Sequence, residues 1–197
     1  KNLARLGTGS RARTAGRWAY AELLLKEGNR AEAEKVLRDA VEAEPRTFEA
    51  RCALGRLLLD RGEDEEALAQ LREAVRLAPL HTEARRALAR VLTKRGEKES
   101  AAVEWAVVVD RTPDDFDALG ELASLWIDAG EMDKAKERVE AILRVFPKSA
   151  AAHLVLGRVQ LARGSTSEAA ASLRRSLSLA PRGPGASEAK KLLASLR

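Results

Sequence analysis

The chain has 197 residues, 45% of them apolar and 33% charged, which is the balance of a folded protein and excludes a disordered one. Three Trp, three Phe and one Tyr stand against abundant Ala, Leu, Arg and Glu, a composition of close-packed helices joined through small side chains, so an all-α fold is expected. No stretch approaches the roughly 18 uninterrupted apolar residues of a membrane span, which argues against direct membrane insertion.

Residues 1–13 read as a basic N-terminal segment. Lys1, Arg5, Arg11 and Arg13 carry four positive charges there with no acid, and no apolar core of a secretory signal is present. A chain that begins with Lys rather than Met reads as an excised or processed fragment, which leaves localisation open, with the cytoplasm placed ahead of the periplasm. Residues 182–197 hold a net three further positive charges, so of the formal +5 nothing remains for residues 14–181, which are slightly acidic. Nucleic-acid binders carry their basic stripe over the fold itself, so no nucleic-acid partner is expected.

Residues 14–181 repeat. Gly28, Gly62, Gly96, Gly130 and Gly164 are each thirty-four residues apart. Pro45, Pro79, Pro113, Pro147 and Pro181 keep that interval, as do Ala33, Ala67, Ala101, Ala135 and Ala169. A fourth column runs Ala21, Gly55, Ala89, Ala123, Gly157. The units are 14–47, 48–81, 82–115, 116–149 and 150–181, followed by a linker and a closing helix near Ser187 to Leu196 within 182–197. Each unit reads as two amphipathic helices, with apolar residues at three- and four-residue steps such as Ala50, Leu54, Leu57, Leu58 and then Ala67, Leu68, Leu71, Ala74, Val75. The Gly ends the first helix in the left-handed conformation and the Pro stops the second. Asn29 with Glu32 and Ser165 with Glu168 have capping-box spacing, and Thr47, Asp115 and Ser149 are placed to cap first helices. The small columns let two backbones approach closely. Trp105, Val108, Trp126 and Ile142 replace smaller residues and are expected to fill a junction between the third and fourth hairpins.

The thirty-four residue period, the small–Gly–Ala–Pro columns and the apolar Leu37, Leu71, Val139 and Leu173 resemble the tetratricopeptide repeat. The resemblance implies a right-handed α-solenoid of five antiparallel helix-turn-helix hairpins with a terminal capping helix. It also implies that the side of each first helix opposite its apolar stripe lines a concave groove.

By the helical wheel, Ala50, Leu54 and Leu58 face inward and Glu49, Cys52, Arg56 and Leu59 outward. Carried through the array, the outward arc holds Trp18, Glu22 and Leu25; Cys52, Arg56 and Leu59; Arg86, Arg90 and Thr93; Gly120, Ser124 and Ile127; Leu154, Arg158 and Leu161. Arg56, Arg90 and Arg158 share one place in three repeats, and guanidinium groups suit carboxylates, so an acidic peptide segment or a free C-terminus of a partner protein is the expected ligand. Glu49, Glu83 and Asp117 stand at the edge of this arc as partial neutralisers, and Cys52 is expected as a small side chain tolerated on a helix surface.

Nothing points to an enzyme. His81, His153 and Cys52 fall in different hairpins, and no metal spacing, phosphate loop or nucleophile elbow appears, so no catalytic residue, cofactor or metal site is expected. The function expected is a protein–protein interaction scaffold within a bacterial multiprotein assembly of secretion, pilus, polysaccharide export or motility. A self-assembling array, or an adaptor region of a larger enzyme or membrane-assembly protein, remains an alternative.

Overall fold

The computed structural model describes residues 10–196, with side chains from Gly16 onward. These residues form α-helices and turns, and among them there is no strand. Two compact units divide the chain, residues 1–97 and 98–197.

The first unit holds α1 (Ser10–Lys26), α2 (Arg30–Ala43), α3 (Phe48–Arg61), α4 (Asp64–Leu77) and α5 (Thr82–Lys94). α1 begins at Ser10, inside the stretch set apart above as a basic segment; residues 1–9 of that segment lie outside the described residues. Arg11, Ala12 and Arg13 are good helix formers, and no breaker stands between Ser10 and Thr14. The second unit holds α6 (Lys98–Arg111), α7 (Phe116–Asp128), α8 (Met132–Val145), α9 (Ala150–Ala162), α10 (Thr166–Leu179) and α11 (Ala186–Ala194).

The periodic glycines do what their lack of a side chain permits. Gly28, Gly62, Gly96, Gly130 and Gly164 all sit at φ between +75° and +83°. At each, the next residue's N–H reaches back to a carbonyl five places earlier, as from Glu63 to Leu58 at 2.9 Å and from Ser165 to Gln160 at 2.8 Å, so the first helix closes and the chain turns.

Not every expected cap forms. Asp115 and Ser149 accept from Ala118 N and Ala152 N at 2.9 and 3.0 Å. Asn29, Thr47 and Ser165 make no side-chain cap bond. Asn29 and Ser165 follow the left-handed glycine with ψ near 62° and 66°, away from the extended backbone that aims a cap side chain at its helix. His81 caps α5 instead, its Nδ1 accepting from Ala84 N at 3.2 Å, and its ring meets Phe48 edge-on at 4.9 Å.

A side chain on the following helix also holds the turn after each of three prolines. Arg51 Nε donates to the Pro45 carbonyl at 2.7 Å, Arg85 Nε donates to that of Pro79, and His153 Nε2 lies 3.2 Å from that of Pro147. Leu119 occupies the matching place in the fourth hairpin and has nothing to donate.

Packing follows the small columns. A Cβ on Gly55 would lie 2.5 Å from Leu71 Cγ and 3.3 Å from the Ala67 carbonyl; on Gly157 it would lie 2.7 Å from Leu173 Cγ and 3.4 Å from the Ala169 carbonyl. The column therefore marks where the two helices of a hairpin cross in close contact. Trp105, Val108, Trp126 and Ile142 are all buried. In the fourth hairpin, α7 and α8 approach each other less closely than α9 and α10, as expected when Trp126 and Ile142 stand where other hairpins carry smaller residues.

The first and second helices of a hairpin differ in how many faces they bury. α4 buries one stripe, Ala67, Leu68, Leu71 and Ala74. α3 buries Ala50, Cys52, Ala53, Leu54, Gly55, Leu57 and Leu58, because it packs on its partner α4, on α2 before it and on the neighbouring first helices α1 and α5.

α11 continues the period. Ala186, 8% exposed, stands thirty-four residues after Ala152 in the column Ala50, Ala84, Ala118, Ala152, so α11 enters in the register of another first helix. Exposed Lys191 occupies the small column, a place where a second helix of its own would exclude it. Gly185, at φ +80°, lets the preceding turn pass beneath Phe116 and Leu154, where a Cβ would collide with both side chains. Among the described residues no helix is long and apolar enough to cross a membrane.

Candidate functional site

First helices sandwiched between neighbours keep only a narrow free arc, and in the first unit those arcs converge on a groove of about 460 Å³. Glu22, Leu25 and Lys26 reach it from α1, Arg30 from the start of α2, Arg56, Leu59 and Asp60 from α3, and Glu83, Arg86 and Arg90 from α5. Five cations therefore face three carboxylates.

The cations differ in how far they are engaged. Arg56 lies 3.7 Å from Glu22, a long contact between half-exposed groups, and Arg86 lies 3.4 Å from Glu83. Among the described residues, Lys26, Arg30 and Arg90 make no ion pair. In water such surface pairs are weak, so the groove keeps its positive field and its carboxylates are displaceable. Leu25 and Leu59 supply partly buried apolar floor between the charges.

Of the fifteen residues placed on the outward arc by the helical wheel, Glu22, Leu25, Arg56, Leu59, Arg86 and Arg90 come together here. Trp18 does not. It is half-buried beside the turn from Pro45 to Glu49, along a second hollow of about 670 Å³. Glu49, expected at the arc's edge, lines that hollow too, and the neutralising carboxylates of the groove are Glu22, Asp60 and Glu83.

Cys52 is a correction. It is 4% exposed and packs with Ala74 and Ala84, because its side of α3 faces α5 rather than solvent. Burial pushes its thiol up to about 11, so at neutral pH it is protonated and a poor nucleophile. Folded protein is expected to resist alkylation by iodoacetamide at pH 8, and urea-unfolded protein to react fully. Rapid modification of the folded state, read as a mass increase, would contradict this burial.

Leu154 is a second correction of the same kind. At 1% exposure it is packed with Leu173 and Ala189 in a cluster that Phe116, Leu161, Leu177, Leu192, Leu193 and Leu196 join, so α11 occupies the side expected to be open. Arg158, too, is engaged. It donates to Ser124 Oγ at 2.5 Å and to the Gly120 carbonyl at 3.4 Å, and it lies 3.4 Å from Glu188 of α11. Ser124 Oγ in turn donates to the Gly120 carbonyl at 3.0 Å, and Ile127 is half-buried on the same helix. Arg158 thus ties α7, α9 and α11 together, while Arg56 and Arg90, its counterparts in the period, face the groove.

Lys26, Arg30 and Asp60 were not among the expected residues. Lys26 and Asp60 share one column, a single residue beyond Leu25 and Leu59, and the wheel signal for them was present. Arg30 belongs to a second helix and enters the groove only because the Gly28 turn folds the start of α2 back beside α1. Among the described residues no three His, Cys, Asp or Glu side chains are grouped to hold a metal.

Known proteins share both the sequence pattern and the shape. The tetratricopeptide repeat model matches residues 19–79, 52–116 and 121–186. No curated protein matches the sequence. Among solved structures, a tetratricopeptide repeat protein from Parabacteroides merdae is similar at TM-score 0.76 and 22% identity, over 93% of this chain and 72% of that one. The MamA protein is similar at TM-score 0.70 and 22% identity, over 86% and 92%. YrrB, a TPR protein described as having an unusual peptide-binding site, is similar at TM-score 0.69 and 20% identity, over 89% and 91%. At these identities the structures speak for the fold, and the match of the family model over most of the sequence decides membership: this chain belongs to the tetratricopeptide repeat family.

Proposed function

We propose that this protein is a non-catalytic docking module, and that the groove of its first unit holds an acidic segment of a partner protein. The observation that carries the reading is the convergence of Lys26, Arg30, Arg56, Arg86 and Arg90 on one hollow that, among the described residues, is lined by three carboxylates, Glu22, Asp60 and Glu83. An enzyme needs a nucleophile, base or metal in fixed geometry, whereas this site offers hydrogen-bond donors and apolar floor, the makings of recognition. The fold is one of protein–protein interaction scaffolds, and the structural likeness to YrrB, with its peptide-binding site, supports a peptide ligand. We place the module in a bacterial multiprotein assembly; the bacterial part of that reading is supported by the source of similar folds in Parabacteroides merdae and Desulfovibrio magneticus, and the assembly part by the interaction-scaffold fold. The five-hairpin division of residues 14–181 and the closing role of α11 belong to the same proposal, supported by the unbroken period and the register of Ala186.

A fluorescent Glu-rich peptide tests the reading by anisotropy. The double variant Arg56→Glu, Arg90→Glu is expected to weaken binding by at least about tenfold, because each reversal takes away a charge-assisted hydrogen bond and sets a carboxylate against the peptide's own. Lys35→Glu, an exposed change on α2 that does not line the groove, is expected to leave binding unaltered. Added salt weakens the parent complex as the charges are screened. Equal affinities for both variants would remove the groove from consideration.

A further inference from the structure

Just before its left-handed glycine, the first helix ends on an arginine in three hairpins. Arg61, Arg95 and Arg163 keep the thirty-four residue interval or its double, and Ala129 stands in their place in the fourth hairpin. Each arginine reaches back to a carboxylate on the second helix of the hairpin before it: Arg61 to Glu34, Arg95 to Glu65 and Arg163 to Asp133. Glu99 on α6 shares the column of Glu65 and Asp133, and it makes no ion pair among the described residues. We infer that the cleft beside Glu99 and Ala129, open where its counterparts are bridged, is a docking site for an arginine side chain of a partner protein, whose guanidinium pairs with Glu99 in place of the missing arginine.

This cleft is apolar where its counterparts are charged. Ala106 stands where α2, α4 and α10 place Arg38, Arg72 and Arg174, and Val103, 62% exposed, stands where α2 and α8 place Lys35 and Glu137. With Ala102, Leu125 and Trp126 they line a hollow of about 300 Å³. Both cations on its rim are already answered: Lys98 lies 3.2 Å from Asp128, and Lys134, standing over the Trp126 ring, donates to Glu131 at 2.9 Å. Among the described residues Glu99 is the charge of this rim left without a counter-ion, so the site attracts a cation.

Arginine fits this combination better than lysine. Its aliphatic stem buries along apolar surface while its planar fork meets a carboxylate through two parallel hydrogen bonds. The hollow supplies both partners, an alanine and leucine wall for the stem and the Glu99 carboxylate for the fork. The protein's own Arg95 and Arg163 form the same pairing at equivalent junctions of the period. A partner's arginine does from outside what these do from within, and its neighbours cover the exposed Val103. The site lies in the second unit and shares no residue with the cationic groove, so neither reading depends on the other.

Short capped peptides, titrated against the whole chain by heteronuclear NMR, provide the test. Acetyl-Ala-Arg-Ala-amide is expected to give saturable shifts at the Glu99, Val103 and Ala129 amides and at the Trp126 indole. Its citrulline counterpart, alike in shape but neutral, should bind about tenfold more weakly, because the charge-assisted hydrogen bonds are lost. Glu99→Gln should weaken the arginine peptide by a similar factor. Ala129→Arg should close the cleft from within and abolish those shifts while the protein melts no lower than the parent. Equal binding of the arginine and citrulline peptides overturns the assignment, as does equal binding of the arginine peptide to the parent and to Glu99→Gln. Undiminished binding by a folded Ala129→Arg, or the absence of any saturable shift in the parent, overturns it too. A lysine peptide that binds as tightly as the arginine peptide overturns the choice of arginine.

Discussion

Trp105→Ala is expected to lower the unfolding free energy by about 3 to 5 kcal/mol. The indole is 1% exposed and stands where other hairpins place Leu37, Leu71, Val139 or Leu173. Truncation to a methyl therefore removes a large apolar surface and leaves a cavity that the surrounding helices, pinned by their left-handed Gly turns, close only partly. Trp126→Ala is expected at the lower end, about 3 kcal/mol. Its ring borders an open hollow of about 300 Å³ and carries Lys134 Nζ 5.5 Å above it, so part of its environment is already solvent. Urea unfolding followed by circular dichroism ranks the two. The reverse order, or a loss below about 1 kcal/mol at Trp105, would show that the third-hairpin site repacks around an alanine.

Gly157→Leu and Gly55→Leu are each expected to cost about 3 kcal/mol by overpacking. The first new carbon would already lie 2.7 Å from Leu173 Cγ in one case and 2.5 Å from Leu71 Cγ in the other, with backbone carbonyls close behind. Leu173 and Leu71 are fully buried, so neither has room to retreat. Gly120→Ala serves as the contrast. Its Cβ would meet only Arg158 Nη1 at 3.6 Å, an ordinary contact, so the better helix propensity of Ala should show as a gain of up to about 1 kcal/mol. Three glycines inside first helices thus separate crossing points from mere helix positions, and thermal melts of the three variants read the difference. A stabilised Gly157→Leu would mean that the helices of the fifth hairpin part more readily than their geometry implies.

The helix pairs and their breaks were legible because glycine and proline act on their own backbone, whatever surrounds them. The caps were half legible. Asp115 and Ser149 follow a proline turn whose extended backbone aims them, while Asn29 and Ser165 follow a left-handed glycine that turns them aside. The groove was legible only one helix face at a time, and there the limit is physical. A helix that buries one stripe has an opposite side, but α3 buries residues around most of its circumference, so Cys52 and Arg56, one turn apart, end in different surroundings. Leu154 went the same way because α11 lies over it, a fact of tertiary packing that no wheel contains. Arg158 shares its column with Arg56 and Arg90, and only the presence of Ser124 and Glu188 opposite it turns a groove residue into a tie.

Within each unit, the helices pack on others only one or two places away in the chain. Such a chain has low contact order, and its loops close readily and early. Every residue of the cationic groove comes from the continuous stretch between Glu22 and Arg90. During synthesis that stretch clears the ribosome before the second half of the chain is complete, so the recognition surface is able to assemble while translation is still under way.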